Sequence, residues 1–269
     1  PAGTLAMVGN VITISIVADN NIQTPTITIA GNAATIATGA NGESVYTATY
    51  EMLPTDATAD VIAFTVDFLD LAGNEGEQVV AWTDDDADGG VSFDKQAPSF
   101  SDVSIASNNA VSTATADDNG TRAKSGDNIT VTLESDEDLQ VGLNPTVTIA
   151  GNTALVSRQA GSDDEFSATY QMSDSDEDDY NNQSITINIS NYYDPAGNEG
   201  ATVNDTEDGS DVIFDMDEPD LSTVAISSST NTFKWWAKDE DVIRVRIVSD
   251  EDLQTNPLLS TLSLSLTNV

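Results

Sequence analysis

Apolar and polar residues alternate along much of this chain. Ile12, Ile14 and Ile16 interleave with Thr13 and Ser15; Ile129, Val131 and Leu133 interleave with Thr130, Thr132 and Glu134; Ile243, Val245 and Ile247 interleave with Arg244 and Arg246. A period of two sends successive side chains to opposite faces of an extended strand. The outward residue changes from Thr to Glu to Arg while the inward one stays Ile, Val or Leu, so the inward face is what the pattern specifies. The middle stretch predicts strands near 103–107, 128–134, 145–150, 153–158, 166–171, 184–190 and 211–214, separated by Asp, Gly, Asn and Ser clusters. Seven short strands without a sustained helical period predict an all-β fold of two antiparallel sheets packed face to face. The expected core is Val103, Ile105, Ile129, Val131, Leu133, Val147, Ile149, Phe166, Tyr170, Ile185, Ile187 and Phe214.

The pattern repeats. Pro25-Thr26-Ile27-Thr28-Ile29-Ala30-Gly31-Asn32 returns 120 residues later as Pro145-Thr146-Val147-Thr148-Ile149-Ala150-Gly151-Asn152. Asp70-Leu71-Ala72-Gly73-Asn74-Glu75-Gly76 matches Asp194-Pro195-Ala196-Gly197-Asn198-Glu199-Gly200, and Phe93-Asp94 with Pro98 matches Phe214-Asp215 with Pro219. Ser135-Asp136-Glu137-Asp138-Leu139-Gln140 recurs as Ser249-Asp250-Glu251-Asp252-Leu253-Gln254, opening a third copy. Anchors in one order at a nearly constant offset mark a tandem array. Residues 1–97 form a first module that lacks its first strand, 98–218 a second, and 219–269 part of a third.

Composition narrows the chemistry. With 269 residues, 39% of them hydrophobic, the chain can bury the cores of two domains of ordinary size. Its 46 acidic and 8 basic residues give a net charge of −38, which repels nucleic acid phosphates and anionic lipid alike. Cations are the expected small partners. Cys and His are both absent, which removes thiolate chemistry, disulfides and the commonest general base. A non-enzymatic role is therefore expected. No apolar run approaches 18 residues and no secretory leader pattern follows Pro1, so no membrane insertion is expected within this segment.

The segments Thr28 to Asn32, Tyr46 to Met52, Asp70 to Gly76 and Val91 to Pro98 resemble immunoglobulin-like repeats of very large prokaryotic cell-surface proteins. The likeness spans nearly the whole chain. It implies tandem immunoglobulin-like β-sandwich domains and an extracellular, cell-surface setting. Repeats of that family occur in surface-layer proteins, filaments and adhesin stalks, and share no active site. The second copy departs from the pattern at Pro195 and at Met216-Asp217-Glu218, which makes its exit linker more acidic.

Two groups of acids are candidate Ca2+ sites. Asp84-Asp85-Asp86-Ala87-Asp88-Gly89 spaces Asp84, Asp86 and Asp88 so that three carboxylates converge around a turn at Gly89. Lys95 stands at the twelfth position, where a helical calcium loop needs a bidentate Glu, so this is a β-hairpin loop or a merely solvated one. The second group lies at the module junctions: Asp94 and Asp102 with the Asp70/Asn74/Glu75 loop, and Asp215, Asp217, Glu218 and Asp220 with the Asp194/Asn198/Glu199 loop. A hard cation there would stiffen the linker, with Kd of roughly 10⁻⁴ to 10⁻³ M. The alternative is that these acids only hydrate a Pro-punctuated linker. The run from Asp174 to Asp179 reads as a solvated loop, and the sequons at Asn119, Asn128, Asn182, Asn188 and Asn204 are as many as chance supplies in so Ser- and Thr-rich a chain.

The ends of the chain are complementary. The first copy opens at the Ile12 to Ile16 strand, and the C-terminal part supplies the preceding one as Val224-Ala225-Ile226. Either this is a window on a longer array, or residues 219–269 of one subunit complete the first module of the next by strand addition. The function read from the sequence is a calcium-stabilised structural repeat of a surface layer, filament or stalk. Its first rival is an adhesin in which Trp82, Trp235 or Trp236 stacks on glycan. Its second is an accessory module of a secreted hydrolase, for which no G-x-S-x-G motif or other catalytic pattern is present.

Overall fold

The computed structural model describes residues 4–38, 44–82, 90–109, 121–176 and 181–251. Strands take up 46% of the chain, and helix is limited, among the described residues, to one 3₁₀ turn at Asp174–Asp176. The first repeat holds β1 (Thr4–Ala6), β2 (Val11–Val17), β3 (Thr26–Ile29), β4 (Asn32–Ala33), β5 (Thr35–Thr38), β6 (Val45–Glu51), β7 (Phe64–Asp67) and β8 (Val91–Phe93). The second holds β9 (Phe100–Ser107), β10 (Thr121–Ala123), β11 (Asn128–Ser135), β12 (Thr146–Ile149), β13 (Asn152–Thr153), β14 (Leu155–Arg158), β15 (Glu165–Gln171), β16 (Gln183–Ser184), β17 (Ile187–Ser190) and β18 (Val212–Phe214). A final pair, β19 (Leu221–Ser228) and β20 (Ile243–Ser249), follows. The fold is all-β and sandwich-type.

The chain divides into two compact units that do not follow the repeat boundaries. One takes in Pro1–Ala106, Ile129–Tyr170 and Thr186–Asp211; the other takes in Ser107–Asn128, Gln171–Ile185 and Val212–Val269.

In the larger unit, β2-β6-β5 and β4-β3-β7 form two antiparallel three-stranded sheets. Their inward residues Ile12, Ile14, Ala48, Ile27, Ile29, Phe64 and Val66 build one core with Phe93 of β8, which runs parallel to β1. The same unit holds the four-stranded sheet β14-β15-β11-β9 and the three-stranded sheet β13-β12-β17. In the smaller unit, β18 lies between β10, to which it is parallel, and β16, while β19 and β20 form an antiparallel hairpin.

Every expected core residue is buried except Tyr170, which is partly exposed. Two expected strands are interrupted. The run 153–158 divides at Ala154, whose N–H donates to Val147 O at 2.9 Å. The run 184–190 changes sheets, because β16 pairs with β18 whereas β17 pairs with β12. Ala30 and Gly31, with φ of 52° and 78°, make the two-residue turn between β3 and β4, and Ala150 and Gly151 repeat it between β12 and β13. Two successive positive φ values match the right-handed twist of the flanking strands.

The glycine that closes each D-x-A-G-N-E-G segment has a packing reason. A Cβ on Gly76 would lie 2.2 Å from the Phe68 ring, and one on Gly200 would lie 1.9 Å from Tyr192. Tyr192 is itself held from two sides, by the Phe100 ring at 4.5 Å between centroids and by its hydroxyl donating to Ala201 O at 2.6 Å.

Candidate metal centre

The two D-x-A-G-N loops hold their first aspartate in the same way. Asp194 is fully buried; its Oδ1 accepts the N–H groups of Gly197 at 2.6 Å and Asn198 at 2.8 Å, and its Oδ2 accepts Asn198 Nδ2 at 2.7 Å. Asp70 accepts the N–H groups of Ala72 and Asn74, each at 2.8 Å, and Asn74 Nδ2 at 2.7 Å. The Asn74 side chain, ahead of its backbone, holds the Asp70 carboxyl below the usual range. Gly73 and Gly197, with φ of 91° and 99°, bend the chain so that these donors converge.

Asp94 leaves β8 and begins the linker. Its N–H donates to Ala6 O at 2.9 Å, and its Oδ1 accepts the Gln96 N–H at 3.0 Å. The linker is tied down beyond Pro98: Asp136 accepts the Ser99 N–H at 2.8 Å and its hydroxyl at 2.9 Å, and the Asp136 N–H donates to Ser99 O at 2.8 Å. Asp250 repeats this clasp, accepting the Asp220 N–H at 2.8 Å.

One residue beyond the clasp stands Glu137. Carboxylate oxygens of Asp94, Glu137 and Asp194 lie within 4.8 Å of one another, and Asn198 Nδ2 donates to Asp94 O at 3.3 Å. Burial, followed by the charges of Asp194, Asp94, Asp136 and Asp138, pushes the Glu137 carboxyl up to about 7. Three hard oxygen donors this close fit Ca2+, which takes six to eight oxygens and accepts water and backbone carbonyls for the rest. The cation would offset the mutual repulsion that raises Glu137.

The structure places the sequence candidates differently from one another. Asp94, Asp194 and Asn198 come together, but Asp94 meets the Asp194/Asn198 loop of the next repeat and not the Asp70/Asn74/Glu75 loop of its own. Asp102 lies in β9, outside this group. Asp84, Asp86 and Asp88 fall outside the described residues. Asp215 and Asp217 repeat the Asp94/Gln96 turn, with the Asp217 N–H donating to Asp215 Oδ1 at 3.2 Å. Asp215 differs from Asp94 in also accepting Arg122 Nη1 at 2.9 Å. Asp217 accepts Asn181 Nδ2 at 3.1 Å and Asn182 Nδ2 at 2.7 Å.

Glu251, the counterpart of Glu137, is raised by burial and then by Asp215, Asp250 and Asp217, with Arg122 opposing. The first repeat has Leu5 at the position of Arg122, so its linker aspartate gains no guanidinium from that strand. Glu137 was missed as a member of this group from sequence because the Ser135 to Gln140 string served only as a marker of the repeat. Its place one residue after the clasping aspartate was the available signal.

No protein family matches the chain, and no curated protein does. Among solved structures, one described as "Crystal Structure of Rst D1-D2" aligns over 81% of this chain and 96% of its own, at 12% identity and a TM-score of 0.31. A likeness that distant carries no functional argument.

Proposed function

We propose that this chain is a non-enzymatic, extracellular structural segment, whose immunoglobulin-like modules over 1–97, 98–218 and 219–269 build a prokaryotic surface layer, filament or stalk stabilised by Ca2+. The observation that carries the reading is the group Asp94, Glu137 and Asp194, which draws a linker carboxylate of one repeat onto a loop of the next. The resemblance of the repeat segments to prokaryotic cell-surface repeats supports the setting, and a net charge of −38 suits a chain whose subunits stay dispersed until cations are present.

Thermal unfolding with and without Ca2+ tests it. At tenfold excess over Kd one site contributes about 1.4 kcal/mol, which is worth roughly 3–6 °C in Tm for domains of this size. The gain is expected to vanish in Glu137→Gln and Asp94→Asn. A Tm indifferent to Ca2+ in the unmodified chain would overturn the reading.

The rival reading, a cell-surface adhesin fragment, draws on Trp235 and Trp236, which are 82% and 68% exposed in the segment between β19 and β20. Exposed indole faces suit stacking on sugars. Glycan-array binding abolished by Trp235→Ala and Trp236→Ala would favour that reading over the structural one.

A further inference from the structure

The sequons at Asn119, Asn128, Asn182, Asn188 and Asn204 all lie in the second repeat. A linked glycan replaces one hydrogen of the side-chain amide and needs solvent beyond the nitrogen, so the fold accepts it without loss only where that amide is exposed and unbonded. Most of these positions do not qualify. Asn182 has φ of 57° and donates Nδ2 to Asp217 Oδ2 at 2.7 Å. Asn188 donates Nδ2 to Asn204 Oδ1 at 2.7 Å, and the Thr206 hydroxyl that would serve Asn204 donates instead to Ser210 O at 2.8 Å. Asn119 lies outside the described residues.

Asn128 differs. It is the first residue of β11, exposed, and directly follows the turn at Ser125 and Gly126. Its backbone N–H donates to Asn108 Oδ1 at 2.8 Å, while among the described residues neither its side-chain amide nor the Thr130 hydroxyl has a hydrogen-bond partner. Residues i and i+2 of a strand share a face. Asn128 and Thr130 therefore stand together on the outer side of β11, opposite the buried Ile129 and Val131. A sequon needs this pairing, because the hydroxyl two residues on makes the amide a better acceptor.

The residue also has no structural task. The first repeat has Val11 at this position and the third has Val242. Val favours a strand and Asn does not. The second repeat thus gives up strand propensity at an exposed site and gains no side-chain hydrogen bond for it. Such a local departure is expected where a residue serves chemistry and not the fold.

We propose that Asn128 is an N-glycosylation acceptor, an inference that rests on the extracellular reading of the chain. The co-substrate is a sugar carried on a polyprenyl phosphate. Asn128 Nδ2 bonds to the anomeric carbon, the bond from that carbon to the phosphate oxygen breaks, the lipid phosphate leaves with the electron pair, and the amide proton passes to a base of the transferase. The glycan then projects from the outer side of β11 into solvent.

Peptide mass spectrometry on the chain isolated from the cells that make it tests this, with surface labelling of intact cells alongside. Occupancy at Asn128 is expected to be about tenfold or more above that at Asn182 and Asn188, to survive Thr130→Ser and to vanish in Thr130→Ala. A bare Asn128 on a chain that labels at the surface, or equal occupancy at the three positions, would overturn the proposal and leave the extracellular reading standing. A chain that does not label would overturn both. In unglycosylated recombinant protein, Asn128→Val restores the residue of the other repeats and is expected to keep or raise Tm. A fall in Tm would give the Asn128 side chain a structural role and count against the proposal.

Discussion

Glu137 concentrates the chemistry of this chain at a single carboxyl. Its ordinary value is 4.5, and burial with four neighbouring acids raises it to about 7 in the folded protein. The folded state therefore binds more protons than the unfolded one between those limits, and without a cation stability falls as pH rises from about 4.5 to about 7. Glu137→Gln removes that dependence and is expected to stabilise the cation-free protein at pH 7.5 by ~1–2 kcal/mol, after allowance for solvent screening. Denaturant unfolding at pH 5 and pH 7.5 measures it; an unchanged slope with pH would show that Glu137 ionises freely. With Ca2+ the sign reverses, because binding needs the ionised carboxyl and weakens below pH 7. Asp94, Asp194 and Asn198 were legible as candidates because the repeat places each at a recurring anchor. Glu137 was not, since in Ser-Asp-Glu-Asp nothing local separates the half-buried Glu from the exposed Asp138 beside it.

At the scale of elements, period-two alternation located β2, β9, β11, β12 and β15, because one face of each is buried and the other is wet; it also located β20, whose alternating Ile243, Val245 and Ile247 are exposed or only partly buried. It failed where a strand is too short to alternate or serves two sheets. β10 spans three residues in a parallel pair with β18 and has no pattern to read, and the break between β16 and β17 follows from two different partners. The closing Gly of the D-x-A-G-N-E-G segments was visible as a repeat, but its cause lies in an aromatic ring two residues ahead of each segment, Phe68 or Tyr192. Gly200→Ala forces Tyr192 off both Phe100 and the Ala201 carbonyl and is expected to cost ~2–3 kcal/mol. Chemical denaturation checks this. A loss below about 0.5 kcal/mol would mean that the Tyr192 ring moves aside freely.

Across the whole molecule the net charge of −38 opposes compactness at low ionic strength. Raising NaCl from 10 to 200 mM shortens the screening length from about 30 Å to under 10 Å, and Tm is expected to rise with it. Ca2+ is expected to raise Tm further than NaCl of matched ionic strength, and chelator to increase the radius of gyration in solution scattering. Equal effects of Ca2+ and matched NaCl, with an unchanged scattering envelope, would leave the acids as a solvated shell and nothing more.

The sequence by itself determined the all-β class, the tandem repeat, the alternating part of the second repeat's core and the acidic character, because each follows from spacing and composition along the chain. The tertiary structure alone decided that Asp94 meets the next repeat's loop and that Glu137 joins them. Those facts depend on side chains far apart in sequence, Glu137 lying between Asp94 and Asp194 yet within 4.8 Å of both, and only packing can bring such distances to zero.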